Sequence, residues 1–171
     1  MTHQRIMIFG LPGSGKSTFA AKLAHQSRLP LYHLDRHFFV ENWVEQNPDD
    51  FLNIQRLLVN QDEWIIDGNA IRSLEIRYSR ATMALYFCFS RPLCLSRLLK
   101  RRFFKNESIQ DRAEGCYERL PSHLIKYMWI YDRQVVPLLA PLQKRYPQVV
   151  FHKIRSAQDL KKILKLLLSV R

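Results

Sequence analysis

The stretch Gly10-Leu-Pro-Gly-Ser-Gly15-Lys16-Ser17-Thr18 decides the fold of this chain. It has the spacing G-x-x-x-x-G-K-[ST], it follows the apolar run 6–9, and a helix-like pattern begins near Lys16. Glycines let backbone N–H groups close around phosphate oxygens, and the following helix directs the positive end of its dipole at the same group. The stretch therefore predicts a strand, a phosphate-binding loop and a helix.

The polar residues of the loop have distinct predicted roles. Lys16 supplies a flexible cation for the β- and γ-phosphates, and the Ser17 hydroxyl is placed to ligate Mg²⁺. The rest of the loop, including Gly10 and Pro12, is expected to contact the nucleotide. A glycine-rich turn that binds nothing is the alternative, and the complete signature beside a strand favours the nucleotide site. ATP and Mg²⁺ are the expected cofactors.

Length, charge and cysteine content restrict the class of protein. With 171 residues, the chain is expected to form a single domain over 1–171. A net charge of +12 fits nucleic acid, an anionic surface or a polyanionic small substrate, and does not choose among them. Three cysteines without C-x-x-C spacing resemble reduced intracellular thiols. With no apolar run of the ~20 residues that span a bilayer, we expect a soluble, cytoplasmic protein without a membrane partner.

Apolar runs and helical patterns alternate along the chain. Strands are expected near 5–9, 31–34, 64–67, 83–89 and 149–152, and helices near 16–26, 49–61 and 92–104. A long helix is expected to begin at 116 or 122, and a separate closing helix to end at about 170. Pro137 and Pro141 are expected to break the helical pattern. The alternation predicts an α/β fold, a three-layer α/β/α P-loop NTPase with a five-stranded, mostly parallel sheet.

Two of the expected strands end in an acid. Asp35 follows the second strand, and Asp67 ends the run Trp64-Ile-Ile-Asp67. Open α/β sheets bind ligands beyond the carboxyl ends of their strands, so both acids are expected on the rim that carries the loop. Asp35 is predicted to orient or deprotonate an acceptor, and Asp67 to hold Mg²⁺, directly or through water. Asn69, Arg72 and Arg77 are candidates for binding the acceptor.

Several motifs together resemble a known family. The loop, Leu34-Asp35, Trp64-Ile-Ile-Asp67-Gly68-Asn69, Arg91-Pro92…Arg97…Lys100-Arg101 and Asp111-Arg112…Gly115-Cys116-x-Glu118-Arg119 are similar to adenylate-kinase-related P-loop proteins labelled "topology modulation protein". The wider group contains nucleoside monophosphate, shikimate and gluconate kinases. The resemblance implies that the nucleotide phosphates contact Gly13, Ser14, Gly15, Lys16, Ser17 and Thr18. It also implies an acceptor-binding helical insertion over about 36–62 and a short lid over about 103–115. Arg97, Arg101 and Arg102 would flank this lid over the phosphates, and Arg112 would close from the lid itself.

The acceptor does not follow from this resemblance. Adenylate kinases continue their D-G with phenylalanine, proline and arginine, whereas this chain reads Asn69-Ala70-Ile71-Arg72. Shikimate kinases have a second acid two residues after the first, where this chain has His37. The predicted activity is ATP- and Mg²⁺-dependent phosphoryl transfer to a nucleoside, nucleotide or similar polar metabolite.

Three other interpretations are open at this stage. The net charge and the family label suggest a nucleic-acid-associated ATPase or regulator of DNA topology, although no nucleic-acid-binding signature is present. A GTPase switch is disfavoured because no N-K-x-D run follows a strand. A metal site built from His33, Asp35 and His37 is disfavoured because the chain is expected to leave the sheet at Asp35.

Overall fold

A computed structural model describes residues 4–40, 44–45, 47–103 and 122–169. The strands are β1 (Arg5–Gly10), β2 (Leu31–His33), β3 (Phe39–Val40), β4 (Val44–Glu45), β5 (Trp64–Asp67), β6 (Met83–Phe87) and β7 (Val150–Ile154). The helices are α1 (Lys16–Ser27), α2 (Asp35–Phe38), α3 (Pro48–Val59), α4 (Leu74–Tyr78), α5 (Arg91–Phe103), α6 (Ser122–Arg145) and α7 (Ala157–Ser169), with a 3₁₀ turn at Ile71–Ser73.

One five-stranded sheet organises these elements. Its strand order is β2-β5-β1-β6-β7, and every neighbouring pair is parallel. The predicted α/β class and the five-stranded parallel sheet of a P-loop NTPase fold are therefore confirmed. Because the strands run in one direction, their carboxyl ends meet at one rim, and the chain leaves β1, β2 and β5 beside one another there.

The central strand β1 is fully enclosed. Ile6, Met7, Ile8 and Phe9 have no exposed surface, which explains why the run is continuously apolar instead of alternating. Burying a side chain of this size stabilises a fold by ~1.5–3 kcal/mol. The phosphate loop therefore starts from one of the most rigidly packed parts of the molecule.

The segment between β2 and β5 contains α2, the two-residue strands β3 and β4, and α3. β3 and β4 pair antiparallel outside the main sheet, a feature that the sequence pattern did not predict. α3 begins as predicted, because Asn47 Oδ1 accepts a hydrogen bond from Asp49 N at 2.9 Å and Pro48 occupies the first turn. The acceptor-binding role of the region 36–62 stays a prediction.

The expectation that Pro137 and Pro141 break the helix is wrong. α6 runs without interruption from Ser122 to Arg145 and contains both prolines. Its buried side chains continue past them at helical spacing: Met128, Tyr131, Val135, Leu139 and Leu142. Both prolines are exposed, so water can reach the carbonyls that lose an amide partner. Burial of the packed face of α6 outweighs the free-energy cost of the lost hydrogen bonds. Even so, no helix in the described ranges is both long and apolar enough to cross a membrane.

A carboxylate on α6 joins this helix to the sheet. Asp132 Oδ1 accepts from the Tyr86 hydroxyl at 2.8 Å, and Asp132 Oδ2 accepts from Arg91 Nη2 at 3.0 Å. α6 is thereby linked to both β6 and the start of α5. The predicted lid, about 103–115, lies outside the described residues apart from the end of α5.

We expect the substitution Pro137→Ala to stabilise the protein. Alanine restores an intrahelical N–H and removes the clash of the proline ring with the preceding turn, for a gain of at least ~1 kcal/mol. Urea unfolding measures this as a higher midpoint at an unchanged slope. Pro48→Ala is the matched control, because proline at the first helical position costs nothing there. A midpoint for Pro137→Ala at or below that of the wild type contradicts a continuous α6.

Candidate functional site

The phosphate loop connects β1 to α1 in a conformation that depends on glycine. Gly13 has φ of 74°, and a Cβ atom there would lie 2.4 Å from the carbonyl oxygen of Cys94. Gly15 has φ of 91°, in the left-handed region that favours glycine, and caps the start of α1. The two glycines let the loop pack closely against α5 while keeping its backbone turned toward the helix start.

The amino end of α1 has the features of an anion site. It has no side-chain cap and no acidic residue in its first turn, so its amides are not competed for by the chain's own carboxylates. The Nζ of Lys16 donates to the Leu11 carbonyl at 3.0 Å, which folds the ammonium group back over the loop. Ser17 is half-buried and Thr18 is exposed at the same helix start. The predicted phosphate ligands are therefore together.

Arg97 reaches the loop from α5. Its Nη1 donates to the Ser14 carbonyl at 3.0 Å, and its guanidinium lies 5.1 Å from the centre of the Phe89 ring. The same nitrogen lies 3.7 Å from where a Cβ of Gly15 would stand. The structure thus places Arg97 beside the loop, as the sequence suggested. Its catalytic role stays a prediction.

The other predicted lid arginines cannot be placed in the same way. Arg101 and Arg102 lie in the last turn of α5, but their side chains are outside the described part of the structure. Arg112 lies outside the described residues altogether. Their predicted roles stay predictions.

The carboxylate of Asp67 lies at the end of β5, the strand hydrogen-bonded to β1. Only 4% of Asp67 is exposed. Its Oδ2 is 3.0 Å from Nδ1 of His33, whereas its Oδ1 is buried and has no hydrogen-bond partner among the described residues. A buried carboxylate oxygen without a partner costs ~1–3 kcal/mol, so a donor from outside the chain would stabilise it.

Asp67 and Ser17 suit a magnesium ion that keeps much of its water shell. Within the described ranges, no group of three His, Cys, Asp or Glu side chains could hold a metal by itself. Mg²⁺ commonly binds through one or two protein oxygens together with phosphates and waters, so the two residues fit that mode. The orphaned Oδ1 of Asp67 is the oxygen available to such a water.

The turn 67–70 is held by hydrogen bonds to three other parts of the chain. Asn69 Oδ1 accepts from Gly10 N at 3.0 Å and from the Tyr131 hydroxyl at 3.2 Å, which ties the start of the loop to α6. Arg77 donates from Nη1 to the Gly68 carbonyl and from Nη2 to the Ala70 carbonyl, both at 2.8 Å. These contacts make Asn69 and Arg77 supports of the turn. Their predicted roles as acceptor ligands stay predictions.

Arg77 is a fully buried charge. Burial lowers its pKa to about 10, against the opposing effects of Tyr131, Asp67 and Asp35. The guanidinium therefore remains protonated at neutral pH and places a fixed positive charge under the acid-bearing rim. The spacing of charged residues gave no sign of this burial. Arg72, by contrast, is exposed in the 3₁₀ turn.

Asp35 lies at the carboxyl end of β2, as the first residue of α2, and is exposed. It is near enough to Tyr127 on α6 to add to the effect of burial, which raises the pKa of that phenol well above its usual value. A cavity of about 350 Å³ is lined by Leu31, Tyr32, His33 and Arg36, next to Asp35 in the chain. The rim therefore carries, in strand order β2, β5 and β1, an exposed acid, a buried acid and the phosphate loop.

Comparison with known proteins gives one finding. The family described as "ATPase family associated with various cellular activities (AAA)" matches residues 6–66, which cover β1 through most of β5 and include the phosphate loop. No curated protein matches the chain significantly. Together with the loop and the parallel sheet, the match supports a P-loop NTPase. Membership of this broad class implies nucleotide binding together with ATP hydrolysis or phosphoryl transfer.

We expect Arg77→Met to destabilise the fold by ~3 kcal/mol, because one buried and one partly buried carbonyl lose charged donors. Urea unfolding measures the loss. Arg80→Met is the matched control: Arg80 is exposed just beyond α4, and surface substitutions usually change stability by less than ~0.5 kcal/mol. Equal midpoints for the two variants contradict the supporting role of Arg77.

Proposed function

We propose that this chain is a phosphotransferase that moves the γ-phosphoryl group of ATP to a small polar acceptor. The observation that carries the proposal is the row of strand ends, where the exposed Asp35 lies one strand beyond Asp67 and two strands from the loop. Hydrolysis needs the loop and an acid beside it. A second acid at the open edge of the same rim is suited to receive the hydroxyl of an acceptor.

In the proposed reaction, the loop amides and Lys16 hold the phosphates of ATP. Ser17 and, through water, Asp67 would hold Mg²⁺, which would neutralise phosphate charge. Asp35 accepts the proton of the acceptor hydroxyl while a bond forms between that oxygen and the γ-phosphorus. The bond from the γ-phosphorus to its bridging oxygen breaks, and ADP leaves with the electron pair.

Arginine side chains stabilise the charge that spreads over the transferring group. Arg97 is already beside the loop at the Ser14 carbonyl, so a short side-chain movement brings it to a bound phosphate. Arg101 and Arg112 act from the lid side in this proposal, and Arg102 contacts the nucleotide. The adenylate-kinase-related resemblance supports this arrangement.

ATP hydrolysis without a small-molecule acceptor is a second candidate, favoured by the match to a family of ATPases. In that case water takes the place of the acceptor, and the net charge of +12 would serve attraction to nucleic acid. Addition of duplex DNA separates the two. It should stimulate an associated ATPase and leave the proposed transferase unchanged.

We expect Lys16→Ala to reduce Mg²⁺-dependent ADP release at least ~100-fold, because a cation aimed at the transferring group is lost. ADP formation is measured by a coupled enzyme reaction that changes absorbance, in the presence of a pool of nucleosides, nucleotides and polyols. Lys22→Ala is the matched control, since Lys22 is exposed further along α1. Wild-type rates in Lys16→Ala would remove the loop from the mechanism.

Asp35→Asn tests the acceptor side separately. We expect the acceptor-dependent rate to fall ~100-fold through loss of the base, with ATP hydrolysis in the absence of acceptor little changed. Asp62→Asn is the control, because this exposed acid precedes the amino end of β5, whereas the rim lies at the carboxyl ends of the strands. If Asp35→Asn lowers both rates equally, or neither, Asp35 does not serve the acceptor.

A further inference from the structure

His33 and Asp67 form a buried pair at the rim. They are cross-strand neighbours in the parallel register of β2 and β5, at the last residue of each strand. His33 Nδ1 and Asp67 Oδ2 are 3.0 Å apart, and the two residues are 9% and 4% exposed. Because the carboxylate oxygen is an acceptor, Nδ1 carries the proton and donates it.

This bond leaves the two oxygens of Asp67 in different situations. Oδ2 is occupied by His33, whereas Oδ1 is buried and has no partner among the described residues. A carboxylate held by one oxygen cannot rotate freely about its last torsion, so the direction of the other oxygen is fixed as well. Fixing a ligand through its second atom is how residues around metal sites tune affinity.

We propose that His33 is a positioning residue, which holds Asp67 by Oδ2 so that Oδ1 meets the water shell of nucleotide-bound Mg²⁺. The inference rests on the proposed binding of Mg²⁺ and ATP and adds a residue to it. His33 touches neither the nucleotide nor the ion in this arrangement. Its effect passes entirely through the carboxylate.

A histidine that only packs and a histidine that orients Asp67 differ in what their loss changes. Loss of packing lowers stability and affects nucleotide binding with and without metal alike. Loss of orientation raises the Mg²⁺ concentration needed for tight binding and spares metal-free binding. The Mg²⁺ dependence of binding is therefore the decisive readout, and it needs no turnover.

The test uses calorimetric titration of the full chain with a non-hydrolysable imido analogue of ATP, in EDTA and over a series of Mg²⁺ concentrations. We expect His33→Leu to raise the Mg²⁺ concentration for half-maximal enhancement ~10-fold or more, the usual effect of losing such a partner. Affinity in EDTA should stay within about twofold of wild type, because no phosphate ligand changes. His25→Leu is the control, because His25 is exposed in the last turn of α1.

Two conservative variants separate the effect of the hydrogen bond from the effect of side-chain size. Asparagine places an amide N–H near the position of Nδ1, so His33→Asn should restore the Mg²⁺ dependence. Glutamine places its amide nearer to Nε2, so His33→Gln should behave as His33→Leu and replaces it if the leucine variant does not fold. Failure of asparagine to restore the dependence overturns the hydrogen-bond role.

The outcomes also distinguish this inference from the function on which it rests. If the wild-type chain binds the analogue with Mg²⁺ and His33→Leu shows the same Mg²⁺ dependence, the inference fails and the proposed function stands. Equal loss of binding with and without Mg²⁺ reduces His33 to a packing role and likewise overturns the inference. If the wild-type chain binds no nucleotide, the proposed function fails and the inference falls with it.

Discussion

The direct pairing of β1 with β5 is the constraint on which the site depends. Ile8 is paired with Asp67, and Gly68 N donates to the Ile8 carbonyl at 3.1 Å, so the acid is held two residues along the strand from the start of the phosphate loop. β2 then pairs with β5 on its other side and brings His33 against Asp67. Backbone hydrogen bonds of a buried sheet therefore set the spacing of loop, carboxylate and histidine, and side chains need only adjust their direction.

Buried polar side chains add to the positional constraints that the sheet imposes on the site. The turn after Asp67 is joined to three other elements. Arg77 of α4 donates to the turn, and Asn69 of the turn accepts from the start of the loop and from Tyr131 of α6. An arrangement of this kind is costly when any partner is missing, because an unpaired group in a low-dielectric interior loses its hydration without replacement. The turn is consequently stiff. A stiff turn keeps the loop and the acid ready before a ligand arrives.

The local sequence pattern is enough to predict the loop, the strands and the two strand-end acids, because each of these features depends on residues that are adjacent in the sequence. It did not reveal the pairing of His33 with Asp67, which depends on strand order and joins residues far apart in the sequence. It also gave Arg77 no buried role, since a lone arginine in a polar stretch usually faces water. The helix break expected at Pro137 and Pro141 does not occur for a related reason: the apolar face that stabilises α6 is buried only by the rest of the fold.

Transfer of the γ-phosphoryl group to an acceptor other than water is what distinguishes the proposed phosphotransferase from an ATPase. Phosphorus-31 magnetic resonance of the wild-type chain with ATP, Mg²⁺ and a mixture of nucleosides, nucleotides and polyols tests it directly, because each fate of the γ-phosphorus has its own resonance. We expect loss of the γ signal to be matched by a new phosphoester or phosphoanhydride signal. A γ signal that passes only into inorganic phosphate would rule out transfer to these acceptors and identify an ATPase.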